Sequence, residues 1–317
     1  MTTARSSGDA SAGPRPPAHL RTVRPDGTPV YGHPTRLGSP PVLVTRIDVD
    51  ADHPHLPPGH RHAHDFLVLV YVERGGGTVS LNGQDTPLRA GDVHAVPPGQ
   101  AIDSAALADL DHCLAWSVAF TPDAVPSLAS VSPLAWGHHP HLALFALTAL
   151  PAGASANVPE ADRPRWSAWL TELSDELSEP GRLGAREAAS AVLTRILIGA
   201  ARLAPSAPAP PDPLVTRVFD EIEETFRDPV SAADVARALG YTAGYLTTVV
   251  RERTGRTLLE WITERRMTEV RRMLRDTDLP LGVVAARTGL RDATYLVRRF
   301  KDRYGITPDR WRRSERV

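Results

Sequence analysis

Apolar residues along this chain of 317 residues change their spacing from one region to the next. Between Pro41 and Phe120 they come in short, β-branched or aromatic runs separated by turn residues: VLVTRIDV (42–49), FLVLVYV (66–72), TVSLNGQ (78–84) and LAWSVAF (114–120). This pattern predicts strands, and several strands at this interval predict a sandwich or barrel. Asn82-Gly83 predicts a hairpin turn, because both residue types tolerate positive φ. From about 161 to 203 the period becomes helical. Trp166, Trp169, Leu170, Leu173 and Leu177 follow i, i+3, i+4 spacing, and a second stripe runs Ala189, Val192, Leu193, Ile196, Leu197, Ala200. Such a stripe either packs on the β domain or forms a dimer helix. APSAPAPPDP (204–213), with five prolines in ten residues, predicts a stiff spacer and a domain boundary. Eight prolines and five glycines in the first 41 residues predict a mostly irregular arm over 1–40.

Beyond the spacer the pattern repeats itself. VARALGY (235–241) matches VAARTGL (284–290), and YLTTVVRERTGRT (245–257) matches YLVRRFKDRYGIT (295–307). Each copy reads as a helix, a glycine-centred turn, a second helix and a glycine stop. Ala236 and Ala285 are small enough for the two helices to cross closely. Gly240 and Gly289 stand where the chain must turn sharply. Thr242 and Asp292 are N-caps for the second helices, and Ser231 with Asp234 makes a capping box for the first unit. Leu246 with Val250, and Leu296 with Phe300, bury one face of each second helix. LLEWITERRMTEVRRML (258–274) between the copies is amphipathic, with Leu258, Trp261, Ile262, Met267, Val270 and Leu274 on its apolar side and arginines and acids outside. Thr307-Pro308 starts a final short helix.

Charge sharpens this picture. The net charge is −1, yet residues 231–317 hold 19 Lys and Arg against 11 Asp and Glu, a local +8. A basic block on a near-neutral chain points to a polyanion. Nothing approaches eighteen uninterrupted apolar residues, so no membrane partner is expected. The first residues lack the apolar core of a secretory signal, and with Cys113 as the single cysteine no internal disulfide can form. A cytoplasmic location is the expectation.

The residues Gly240-Tyr241, Tyr245-Leu246, Gly255, Arg266-Met267, Leu274, Ala285, Gly289, Tyr295, Arg298, Phe300, Gly305, Thr307-Pro308 and Trp311-Arg312 resemble the AraC/XylS family of transcription regulators. The resemblance implies one chain carrying two recognition helices, about 242–253 and 292–303, set in adjacent major grooves roughly 34 Å apart. Outward positions on the first are then Ala243, Gly244, Thr247, Thr248 and Arg251; the family often has a larger polar or basic residue where Thr248 stands. On the second they are Ala293, Thr294, Val297 and Arg298. Arg298 is the candidate for bidentate guanine contact, with a phosphate clamp or structural ion pair as its other reading. Arg251, Arg253, Arg299, Lys301 and Arg303 are candidates for phosphate neutralisation.

PPGHRHAHDFLVLVYVERGGG (57–77) and LRAGDVHAVPPG (88–99) resemble the two blocks of a cupin barrel, found also in sensor domains of AraC-type regulators. His60, His62 and His64 alternate, so a strand would place all three on one face. With His94 they are the candidate effector contacts, and His62 and His64 the candidate metal ligands. A metal cupin expects a carboxylate where Val68 and Leu69 stand and a histidine where Gln100, Ala101 and Ile102 stand, so no metal or other cofactor is expected. His138, His139 and His141 read as surface residues, and Cys113 as a small buried hydrophobe.

The fold expected is α+β and multidomain. It comprises the arm (1–40), a cupin-like sensor (41–125), a loop and helical linker or dimerisation region (126–203), the spacer (204–213) and an all-α domain with two helix-turn-helix units (214–317). The function expected is a sequence-specific DNA-binding regulator, not an enzyme. Its partners would be double-stranded DNA, a small-molecule effector, RNA polymerase and a second copy of itself. A metal-dependent cupin enzyme that regulates its own gene, or a regulator controlled only by partner proteins, are the alternatives.

Overall fold

A computed structural model of the chain describes residues 19–24, 26–33, 40–50, 61–103, 111–129, 131–145, 154–203 and 212–314. The N-terminal part is built on β1 (His19–Val23), β2 (Pro29–Gly32), β3 (Val42–Asp48), β4 (Arg61–His64), β5 (Leu67–Leu81), β6 (Gln84–Arg89), β7 (Asp92–Val96), β8 (Ala101–Asp103), β9 (Asp111–Phe120) and β10 (Ala154–Asn157). The pairing runs β1-β2-β4-β8-β5-β7-β10, with β6 on β5 and β9 joining β3 to β5. The first half of β5 pairs with β7 and β9 and its second half with β6 and β8, so this strand serves both halves of a cupin-like barrel.

Two sequence expectations change here. The separate strands 66–72 and 78–84 are one strand, because the intervening glycines carry the backbone through irregular register rather than ending it. A Cβ on Gly76 would lie 2.2 Å from the carbonyl oxygen of Leu88, so only glycine allows this approach of β6. The arm expected to be irregular contains the β1–β2 hairpin, and β2 continues the sheet by pairing in parallel with β4. The Asn82-Gly83 turn forms with φ of 52° and 80°.

Alternation along β5 decides which residues go where. Leu67, Leu69 and Tyr71 point to one side and share a core with α1 (Arg163–Ser178) and α2 (Ala185–Leu203). Phe66 and Val68 point to the other, into the barrel. The stripe Ala189, Val192, Leu193, Ile196, Leu197, Ala200 is buried in the first of these cores. It therefore packs on the β domain within one chain, which corrects its reading as a dimer helix. Cys113 is buried in the barrel core.

The C-terminal part contains α3 (Pro213–Thr225), α4 (Ala232–Ala238), α5 (Ala243–Thr254), α6 (Leu258–Asp276), α7 (Leu281–Arg287), α8 (Ala293–Tyr304) and α9 (Pro308–Ser314). It has two cores, one around Phe219, Leu246, Val250 and Trp261, the other around Met267, Leu274, Leu296 and Phe300. Helix α6 supplies its first half to one and its second half to the other, and so fixes the two helical units relative to each other. Leu134, from a short 3-10 turn at Pro133–His138, is buried in the first of these cores. The N-terminal part thus contributes a core side chain to its neighbour.

Candidate functional site

In both units the second helix begins and ends by the same devices. The Thr242 side chain accepts from the Tyr245 N–H at 3.4 Å, and the Asp292 carboxylate from the Tyr295 N–H at 2.7 Å. Backbone hydrogen bonding from Tyr295, then the side chain of Arg291, holds the Asp292 carboxyl below its ordinary pKa. Both helices stop at left-handed glycines, Gly255 and Gly305. The expected capping box of Ser231 and Asp234 forms, and a second one, Thr257 with Glu260, starts α6.

Leu246 and Val250 on α5, and Leu296 and Phe300 on α8, are fully buried, which turns the opposite faces outward. On α5, Gly244, Thr248 and Arg251 are exposed and Ala243 and Thr247 half-buried. On α8, Thr294, Arg298, Arg299 and Lys301 are exposed and Ala293 and Val297 half-buried. Tyr295 organises the arginines of α8: its hydroxyl accepts from Arg299 Nε at 3.0 Å, and the Arg298 guanidinium lies 5.5 Å from its ring centroid. No carboxylate pairs with Arg298 or Arg251 among the described residues. Their charge is free to meet a polyanion.

The barrel interior is placed by register. His94 stands opposite Val70, Val70 opposite Ser117 and Ser117 opposite Thr45, so these four share a face. His62 stands opposite Ile102, which packs with Val70 in the same apolar clusters. The rings of His62 and His64 are 4.8 Å apart, and His64 stacks on Phe66 at 4.6 Å. Burial, with His62 adding to it, drives the His64 imidazole down to about 3. Burial lowers His94 too, against the opposing pull of Asp92. Both are therefore neutral rings at neutral pH; His64 Nδ1 has no hydrogen-bond partner, and His94 Nε2 lies 3.8 Å from the Asp92 carboxylate. His60 lies outside the described residues. No three metal-donor side chains gather among the described residues. His139 and His141, expected at the surface, are half-buried with their rings 5.4 Å apart.

The family model for an AraC-like ligand binding domain matches residues 49–197, and that for a helix-turn-helix domain matches 235–314. Multiple antibiotic resistance protein MarA of Escherichia coli is 30% identical over 95 residues, covering 30% of this chain and 75% of that protein. The arabinose operon regulatory protein of Salmonella typhimurium is 24% identical over 246 residues, covering 77% of this chain and 83% of its own. Among solved structures, ToxT of Vibrio cholerae covers 86% of this chain and 94% of its own at 12% identity, with a TM-score of 0.36. The chain belongs to the AraC family of transcription regulators. It is a DNA-binding protein with an N-terminal ligand-binding domain, and no helix among its described residues is long and apolar enough to cross a membrane.

In this AraC-family chain, two arginines expected to neutralise phosphates do other work. Arg303 turns away from the exposed face of α8. Its guanidinium donates to Glu264 at 2.9 Å through both Nε and Nη2, and to Asp65 of the N-terminal domain at 2.7 Å. Arg253 pairs with Asp212, the N-cap of α3, tying the end of the proline-rich spacer to the end of α5. A second ion pair between the domains joins Arg271 to Asp123 at 2.5 Å. Burial alone would lower Arg271 and Arg303, but Asp123 for the first and Asp65 with Glu264 for the second outweigh it, and both are held above the ordinary arginine range. Burial raises Glu264, yet Arg303 and Arg256 bring it down to about 2. Arg265, Glu269 and Arg271, assigned to the outside of α6 by periodicity, are all at least nine-tenths buried. Periodicity cannot distinguish a polar face turned to water from one turned to a neighbouring helix, as for Arg265 beside Glu223, or to another domain, as for Arg271 beside Asp123.

Proposed function

We propose that this regulator reads a specific operator with α5 and α8 and answers to a small molecule held inside the barrel. The observation that carries the DNA-reading half is the pair of capped helices whose outward residues stand exposed on a block of net charge +8. Arg298 makes the specifying contact with a guanine edge, while Arg251, Arg299 and Lys301 neutralise phosphates and set affinity and register. Ala243, Gly244, Thr247, Thr248, Ala293, Thr294 and Val297 give the backbone close access to the groove. The effector reading rests on His62, His64 and His94, hydrogen-bonding rings set beside the apolar side chains of Phe66, Val70 and Ile102. RNA polymerase as partner, assembly as a homodimer, a cytoplasmic location and the lack of an enzymatic activity rest on family membership.

The test uses duplexes selected from a random-sequence pool by the purified chain, titrated beside scrambled versions at several salt concentrations. Arg298→Ala should cost about 1–3 kcal/mol on the selected duplex and little on the scrambled one. Arg251→Ala should weaken both alike and reduce the salt slope by about 1. Equal losses from the two changes would refute the assignment of roles.

A further inference from the structure

Where the two domains meet, they enclose a cavity of about 60 Å³, lined from the N-terminal side by Asp65, Asp123 and Trp136 and from the C-terminal side by Arg271, Arg303 and Tyr304. A single water needs only about 10–15 Å³ measured this way, so there is room for a small polyatomic guest. Buried polar atoms of lining residues without a hydrogen-bond partner include these four: Trp136 Nε1, Arg271 Nε, the Tyr304 hydroxyl and Asp65 Oδ1. Trp136, Arg271 and Asp65 are 3%, 8% and 6% exposed, so bulk water does not satisfy them. Groups orphaned at this depth lose the hydrogen bonds that water gave them, and native proteins answer that cost with a bound partner.

The chemistry of the orphans narrows the guest. Trp136 Nε1–H and Arg271 Nε–H can only donate, and the Tyr304 hydroxyl donates readily, so three of the four call for an acceptor. The surrounding network sets the guanidinium groups of Arg21, Arg256, Arg271 and Arg303 against the carboxyls of Asp65, Asp123 and Glu264. One further negative charge evens it. We propose that this cavity binds a compact oxyanion, a carboxylate or phosphate group, which accepts from Trp136, Arg271 and Tyr304 and bridges the two domains. It sits on the Trp136 side, with a water or a hydroxyl of the guest between it and Asp65 Oδ1. This site is separate from the His94 row inside the barrel, and it stands even if the effector reading of the barrel falls. Because the guest contacts both domains, it stabilises the arrangement in which they are joined by RT ln(1 + [L]/Kd).

The test uses the full chain at constant ionic strength, titrated separately with acetate, inorganic phosphate and the neutral isostere acetamide. Melting temperature and tryptophan fluorescence are followed, since Trp136, Trp261 and Trp311 all line the cavity. At least one oxyanion should raise the melting temperature saturably while acetamide does not. Trp136→Phe and Tyr304→Phe should each weaken that response about tenfold, as expected for losing a hydrogen bond to a charged group. Arg298→Ala, on the DNA face, should leave it unchanged. A response that never saturates, that acetamide reproduces, or that survives both cavity substitutions would overturn the proposal and leave a cavity holding water alone. Should Trp136→Phe fail to fold, Tyr304→Phe decides by itself, because it keeps the ring over Arg271 and removes only the hydroxyl.

Discussion

At His64 the ring stacked on Phe66 cannot easily accept a proton, because the charged form would be buried beside His62 and an apolar wall. In the unfolded chain the same imidazole titrates near 6.5. Between about pH 6.5 and 3 the unfolded state therefore binds a proton that the folded state does not, so stability is fully present above 6.5 and falls as pH drops through this window. Urea midpoints measured at pH 7, 6, 5 and 4 should decline less steeply in His64→Phe than in the parent chain. Parallel declines would mean that His64 is solvated or charged in the fold. Alternation in RHAH made it plain from sequence that His62 and His64 share a face. That the His64 ring is neutral was not legible, since it depends on what covers that face. Arg303 makes the same point from the other side. Its place next to exposed basic residues suggests a phosphate contact, and Glu264, 39 positions away, with Asp65, 238 positions away, redirects it.

At the scale of elements, the two helix-turn-helix units share a sequence pattern but differ in what surrounds the turn. Gly240 and Gly289 both take positive φ, 80° and 68°. A Cβ on Gly240 would meet nothing within 4 Å, whereas one on Gly289 would fall 2.5 Å from the carbonyl oxygen of Phe226 and 2.7 Å from that of Asp228. Gly240→Ala should therefore cost about 1 kcal/mol for the conformation alone. Gly289→Ala must also push back the segment joining α3 to α4, which Arg266 holds by donating to the carbonyls of Phe226, Asp228 and Val230. A cost at least twice that of Gly240→Ala is expected, read from urea denaturation of the two variants. A Gly289→Ala penalty no larger than that of Gly240→Ala would show that this contact is loose. The repeat revealed both turns, but only packing distinguishes them, because the first unit's loop rests on the second unit's turn and nothing rests on the first.

At the scale of the whole molecule, the domains are joined by charges as well as by Leu134. Arg271 is 8% exposed and Asp123 is its carboxylate partner. Burial raises the Asp123 carboxyl, but Arg271 outweighs it and holds the pKa below the ordinary value. Breaking a buried pair from one side leaves an uncompensated charge, worth roughly 3–5 kcal/mol unless the structure opens to hydrate it. Leu134 apart, each domain keeps its own core, so the interface can open without unfolding either. Asp123→Asn should therefore split calorimetric unfolding of the parent into two transitions, one per domain, rather than lower a single one. A single transition at the parent temperature would mean that the pair contributes nothing to docking. The sequence by itself determined the helix-turn-helix repeat, its caps, its turns, the basic block and some of the barrel's strands, because periodicity, capping and turn chemistry act over a few residues and leave their mark there. Tertiary structure alone decided that the α2 stripe is internal, that β5 runs through its glycines, that Arg303 faces acids rather than DNA and Arg271 an acid rather than water, and that orphaned donors meet between the domains. Those outcomes depend on residues distant in the chain being brought within a few ångströms, and local spacing carries no record of such meetings.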